Sequence, residues 1–286
     1  FDFATDQEIQ DILDRSEEAF KTWRTTSYEE RAAIVGKAAQ LLKERATELA
    51  QIAAEEMGKP IPEGEWEMNF SGDILQFYAD NAAEHSADKK VDVPGGKAVV
   101  RRLPLGTLLG IMPWNYPIYQ IARFAGPNLM NGNCIILKHA EITPKSAAAF
   151  EQVLKDAGLP DGVYISVYAT HDQIETIIAD PRVQGVSLTG SERAGKKVAE
   201  TAGKNLKKVV LELGGTDPYV ILDAADVRAA AQEAWDKRVH NAGQACTSNK
   251  RIIVMDDIYD QFVDEMVAIA EGYSKGDPAN PGENEY

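Results

Sequence analysis

The stretch GTLLGIMPWNYPIYQIARFAGPNLMNGNCIILKHA, residues 106–140, decides the fold. Residues 106–112 are a short apolar run stopped by Pro113, which reads as a buried strand. Residues 117–131 read as a helix, and the run from Asn133 to Ala140 as a second strand. Strand, helix, strand is the repeating unit of a parallel sheet. The alternation continues downstream. A helix is expected over 145–159, ending at Gly158, then strands in VYISVYA (163–169), VQGVSLTG (183–190) and KKVVLELGG (207–215). Helices over 171–179 and 191–203 separate them. The fold class is therefore α/β, with a doubly wound, Rossmann-type parallel sheet.

Near residue 213 the pattern restarts. PYVILD (218–223) is a strand, 224–242 a helix, KRIIVMD (250–256) a strand and 257–272 a helix. Upstream of residue 85 the chain reads as helices. Ile9, Ile12, Leu13, Ala19, Phe20 and Trp23 have helical spacing, and Ser27 with Glu30 forms a capping box. The helix it opens runs to Met57, where Gly58 and Pro60 stop it. A third helix carries Trp66, Phe70, Ile74, Phe77 and Tyr78 as its apolar residues. Residues 89–104 form a hairpin about Pro94-Gly95-Gly96. The expected division is 1–86 with 105–212, the arm 87–104, and 213–286. The last stretch, GDPANPGENEY (276–286), has loop composition. A two- or three-strand second unit is too small to close its own sheet, so the end reads as a cut.

The 286 residues carry a formal net charge of −15, which argues against nucleic acid or an anionic membrane as partner. No apolar run reaches the roughly 18 residues of a membrane span. Two cysteines far apart make no disulfide framework and fit a reducing, cytoplasmic setting. Four scattered histidines, with no CxxC or HExxH, offer no metal site.

Several short motifs carry chemistry. In MPWNYP (112–117) two prolines stiffen a loop that aims the Asn115 amide, as an oxyanion donor would be aimed; a tight turn packing Trp114 is the alternative. In ILKHAE (136–141), Lys138 and Glu141 stand at a strand's C-terminal end, where open α/β sheets bind cofactors; a simple charged pair also fits. In LTGSERAGKK (188–197), Gly190 and Ser191 lie at a strand-to-helix turn suited to a phosphate, or an ordinary turn. Glu212 in LELGG (211–215), at an apolar strand's end, is expected to have a raised pKa and act as a base, or to be a solvated strand-end residue. Cys246 in NAGQACTSNKR (241–251) has small neighbours that leave it open to attack a carbonyl; a lone cysteine is otherwise inert, as Cys134 in its apolar strand is expected to be. Arg123 follows Asn115 by eight residues, close to two helical turns, so the two can share a face.

PWN, K-x-x-E, TGS, ELGG and GQAC, in this order, resemble the aldehyde dehydrogenase superfamily over essentially the whole chain. EMGKPI, LKHA and VVLELGG look like its bacterial succinate-semialdehyde dehydrogenases. The resemblance implies Cys246 as nucleophile, Asn115 as oxyanion donor and Glu212 as the base that activates water. It implies Lys138, Glu141, Gly190, Ser191 and Trp114 on the cofactor. Glu141, at a ribose-binding position, would repel a 2′-phosphate, so NAD is expected over NADP. His139 stands where most relatives have proline. Arg123 and Gln120 would receive the distal carboxylate of succinate semialdehyde. Residue 248 is Ser, so the redox disulfide of some relatives is not expected. The hairpin matches an oligomerisation arm, implying a homodimer or homotetramer. The resembling enzymes continue beyond residue 286. The alternatives are a dehydrogenase for another aldehyde and a non-catalytic relative.

Overall fold

A computed structural model describes residues 1–280 and 282. The loop expected over 276–286 therefore lies partly outside the described residues.

Four helices come first: α1 (Asp6–Trp23), α2 (Tyr28–Glu44), α3 (Ala46–Met57) and α4 (Ile61–His85). Thr5–Glu8 and Ser27–Glu30 both form capping boxes, so each carboxylate satisfies an amide that opens its helix. The helix expected from Ser27 to Met57 is two helices. Arg45 breaks it, at φ −103° and ψ 19°, with its guanidinium 2.6 Å from Asp156. Apolar spacing survives a one-residue break, which is why the pattern hid it. The apolar face expected for α4 is also different. Trp66 and Phe77 are each 50% exposed, while Gly64, Glu67, Met68, Ser71 and Leu75 face inward. The small residues win because they admit close backbone approach: a Cβ on Gly64 would lie 2.7 Å from that of Ala50.

The hairpin pairs β1 (Lys89–Val91) antiparallel with β2 (Ala98–Val100). Next come β3 (Thr107–Met112), α5 (Tyr119–Met130), β4 (Cys134–His139), α6 (Pro144–Asp156), β5 (Tyr164–Ser166), α7 (His171–Ala179), β6 (Val183–Thr189), α8 (Glu192–Lys204) and β7 (Lys208–Glu212). These five strands make one parallel sheet in the order β5-β4-β3-β6-β7. The chain winds outward from β3 to β5, then returns to β6 on the other side. The C-terminal ends of β3 and β6 therefore flank the crevice where the winding reverses, the place such sheets bind ligands.

A separate parallel pair, β8 (Asp217–Ile221) and β9 (Asn249–Val254), packs on α9 (Val227–Val239) and α10 (Asp256–Glu271). The helix expected to reach residue 242 ends at Val239, and a 3-10 turn follows over His240–Gly243. Among the described residues no helix is long and apolar enough to cross a membrane.

Candidate active site

The crevice between β3 and β6 receives three segments: the loop after β3 with Asn115, the turn after β6 with Gly190 and Ser191, and the loop with Cys246. Together they line one cavity of about 340 Å³, with Gln120 and Lys250. Asn115 Nδ2 donates to the Gln244 carbonyl at 2.7 Å, and Asn241 Nδ2 donates to the Asn115 carbonyl at 2.8 Å. The two loops are thus cross-linked by their own amides. An amide nitrogen carries two hydrogens, so Asn115 keeps one donor beyond the Gln244 bond.

The Cys246 loop holds an unusual backbone. Asn241, Ala242 and Gly243 are all left-handed, at φ 54°, 52° and 74°. Asparagine tolerates this conformation, and its buried side chain is anchored on Asn115. Glycine suits position 243 because of its left-handed φ, and a Cβ there would also push Arg238 Nη1 aside. That guanidinium donates to the Gly243 carbonyl and to Ser248 Oγ, at 3.2 and 3.1 Å. Ser248 is therefore a buried brace of the loop. Cys246 itself is exposed at the cavity. Cys134 is fully enclosed in β4, and burial pushes its thiol up to about 12.

Glu212 and Arg123 lie in an adjoining cavity of about 500 Å³, and Thr189 lines both. Arg123 Nη2 donates to Thr189 Oγ1 at 3.2 Å and stands 3.8 Å from Glu212 Oε2. The shared helical face expected for Asn115 and Arg123 does not exist, because α5 begins at Tyr119 and Asn115 lies in the loop before it. Gln120 lines the Cys246 cavity; Arg123 does not. Nor is Glu212 enclosed by apolar residues: its side chain is 57% exposed.

On the other side of the crevice, Lys138 and His139 end β4. Lys138 is 11% exposed and its Nζ is 3.7 Å from Glu141. Burial holds its ammonium below the ordinary lysine range, with Glu141 opposing that shift. His139 is satisfied on both ring nitrogens. Nε2 donates to the Pro117 carbonyl at 2.8 Å, and Nδ1 accepts from Ala140 N–H and Thr143 Oγ1. Those partners require the neutral ring, and burial depresses its pKa to about 4. His139 thereby ties the end of β4 to the Asn115 loop. Gly190 N–H already donates to the Glu212 carbonyl at 2.9 Å, so Gly190 offers close approach and not a donor. Ser191 caps α8 through Ala194 N–H. From there a groove of about 400 Å³, lined by Ile174, Ile178, Ala194 and Val198, runs between α7 and α8 beside Lys138, Arg193 and Lys197. A helix N-terminus, a buried lysine and an apolar slot fit the phosphate and base of a nucleotide. Trp114 is 37% exposed in the Cys246 cavity.

Several residues here escaped the sequence reading. Asn241, Lys59, Glu63 and Glu67 hold the two loops, and Lys250 Nζ donates to the Gly215 carbonyl at 2.8 Å beside Cys246. Lys59 lies in the quoted run EMGKPI without a role being given to it, and Asn241 fell inside the helix expected over 224–242.

The aldehyde dehydrogenase family pattern matches residues 1–284, and the chain belongs to that family. It is 47% identical over 281 residues to an NADP(+) succinate-semialdehyde dehydrogenase of Deinococcus radiodurans, covering 98% of this chain and 59% of that protein. A second relative, NADP(+) succinate-semialdehyde dehydrogenase 1 of Mycobacterium bovis, is 40% identical over 284 residues, with 98% and 62% covered. The solved succinic semialdehyde dehydrogenase of Streptococcus pyogenes, in complex with NADP+, superposes with a TM-score of 0.96 at 40% identity, covering 100% of this chain and 63% of that one. The chain thus spans about three fifths of the length of the curated relatives it matches.

These relatives overturn the expectation of NAD over NADP, since two are named for NADP(+) and the third holds NADP+. The argument from Glu141 counted one charge. Its carboxylate is 55% exposed and faces Lys138, and Arg193 lines the groove alongside, where Lys197 is paired with Glu175, so a 2′-phosphate would meet cations as well as Glu141.

Proposed function

We propose that the full-length protein oxidises succinate semialdehyde to succinate with NADP+. The observation that carries this reading is the single cavity in which Asn115 and Cys246 meet, with Asn115 Nδ2 anchored on the Gln244 carbonyl. Cys246 gives up its thiol proton to solvent as its sulfur attacks the aldehyde carbon, and the carbonyl oxygen becomes an oxyanion held by the remaining Asn115 N–H. The nicotinamide group, when bound, supplies the two-electron oxidation that leaves a thioester on Cys246. Lys138, Ser191 and the α7–α8 groove hold the nucleotide, Gly190 gives it close approach, and Trp114 borders it. Glu212 takes a proton from the water that hydrolyses the thioester, which frees the thiol and the acid. Arg123, in the cavity that adjoins the Cys246 cavity at Thr189, receives the distal carboxylate, and Gln120 lines the Cys246 side; the Arg123 guanidinium has donors beyond the one spent on Thr189.

In this reading 1–86 with 105–212 form the cofactor unit, which contains the whole five-stranded sheet. Residues from 213 begin the catalytic unit. The arm 87–104 joins subunits of a homo-oligomer, a role supported by the exposure of Val99 and Val100, 51% each, on its short strands.

Initial rates of the full-length protein on succinate semialdehyde and on an uncharged aldehyde of equal length test the substrate, with NADP+ and NAD compared on each. Arg123→Ala should raise KM for the acid alone by about ten- to a hundredfold, the value of a charged hydrogen bond. Equal parent rates on both aldehydes would remove Arg123 from substrate recognition. Cys246→Ala should cost about 10⁴-fold or more in turnover; retained turnover would sink the mechanism.

A further inference from the structure

Helix α4 carries two carboxylates one turn apart, Glu63 and Glu67, and each reaches a different loop of the cavity. Glu63 Oε2 accepts from Asn241 N–H at 2.6 Å, in the loop that leads to Cys246. Glu67 Oε1 accepts from the N–H groups of Ile118 and Tyr119, at 2.8 and 2.9 Å, where the Asn115 loop enters α5. Glu67 and its partner Lys59 both have wholly buried side chains and form a close ion pair through Glu67 Oε2. The Lys59 ammonium also lies 3.9 Å from the centre of the Tyr116 ring, inside the same loop. Lys59 precedes Pro60, whose ring restricts the backbone of the residue before it.

An ion pair removed from water is costly to keep, and hydrophobic residues often replace one without loss of stability. Here the carboxylate has a use that an apolar residue cannot supply. The first amides of α5 have no partner within the helix. Glu67 gives two of them one fixed oxygen, and Lys59 balances the charge that this oxygen carries.

We propose that Glu67, paired with Lys59, is a positioning residue that sets Asn115 over Cys246 by pinning the entry of α5. Glu63 pins the facing loop from the same helix, so α4 sets the spacing between oxyanion donor and nucleophile. This rests on the aldehyde-oxidising reading above. A displacement of about 1 Å at such a site costs on the order of a hundredfold in rate.

The test uses two double variants of the full-length protein. Lys59→Met/Glu67→Gln removes both charges and keeps an oxygen for the two amides. Lys59→Met/Glu67→Leu removes the charges and the oxygen together. The Gln variant should keep kcat within about threefold of the parent. The Leu variant should lose about ten- to a hundredfold in kcat, with the dissociation constant for NADP+ unchanged. Equal kcat in the two variants, or a loss confined to KM, overturns the proposal. A measurement on the unmodified protein stands beside it should either variant misfold. The amides of Ile118 and Tyr119 should exchange with solvent as slowly as the α5 interior, and exchange at the rate of a free loop overturns it equally. A parent with no activity on any aldehyde would sink the functional reading, while amide exchange would still decide whether Glu67 pins α5.

Discussion

Strand β4 and the pair β8–β9 are built from similar residues, yet only β4 is enclosed. Every residue of β4 is buried, flanked by β3 and β5. In the pair, Tyr219, Ile221, Ile252 and Val254 face α9 and α10, while Val220 and Ile253 point away, 54% and 50% exposed. An apolar strand is therefore not by itself a core strand; burial is set by how many faces other elements cover. The two cysteines follow their regions. Cys134 lies inside β4, and Cys246 lies on the loop that leads into β9.

The sharpest way to break this comparison is chemical. Alkylation of the folded protein should modify Cys246 well before Cys134, whose thiol is buried and raised in pKa by that burial. Peptide mass spectrometry that found similar rates would show β4 to be open. Next in size is packing. Ile136→Ala, at a wholly buried position, should cost about 2–5 kcal/mol in urea unfolding, whereas Val220→Ala should cost under about 0.5 kcal/mol. A large loss at Val220 would mean that its face is covered.

Last is pH, which probes the end of β4. His139 takes up a proton near 4 when folded and near the ordinary histidine value of 6.5 when unfolded. The unfolded chain therefore binds the proton more readily. Stability is full above about pH 6.5 and falls as pH drops toward 4, by about 3 kcal/mol in all. His139→Gln should lose about 2 kcal/mol less than the parent between pH 7 and 5. Identical losses would show that the ring is not held neutral.

Much of this was legible in the chain. The alternation of strand and helix from Thr107 to Glu212 identified the parallel sheet, because each element has its own apolar period and its own stop signals. The misreadings share one cause. On α4 the aromatic residues drew attention from the small ones that pack. Asn115 and Arg123 have helical spacing, but no helix spans them. One carboxylate at Glu141 was weighed without the cations of the neighbouring helix. Each error came from treating a segment without its neighbours.

By itself the sequence determined the α/β class, the order of the motifs and the family. These depend on local period and on residue identity, which the chain carries in full. Only the tertiary structure decided that Asn115 and Asn241, 126 residues apart, brace one another, and that Glu67 holds the Ile118 amide across 51 residues. Such bonds form where packing brings two segments within hydrogen-bond reach, and no spacing along the chain encodes that meeting.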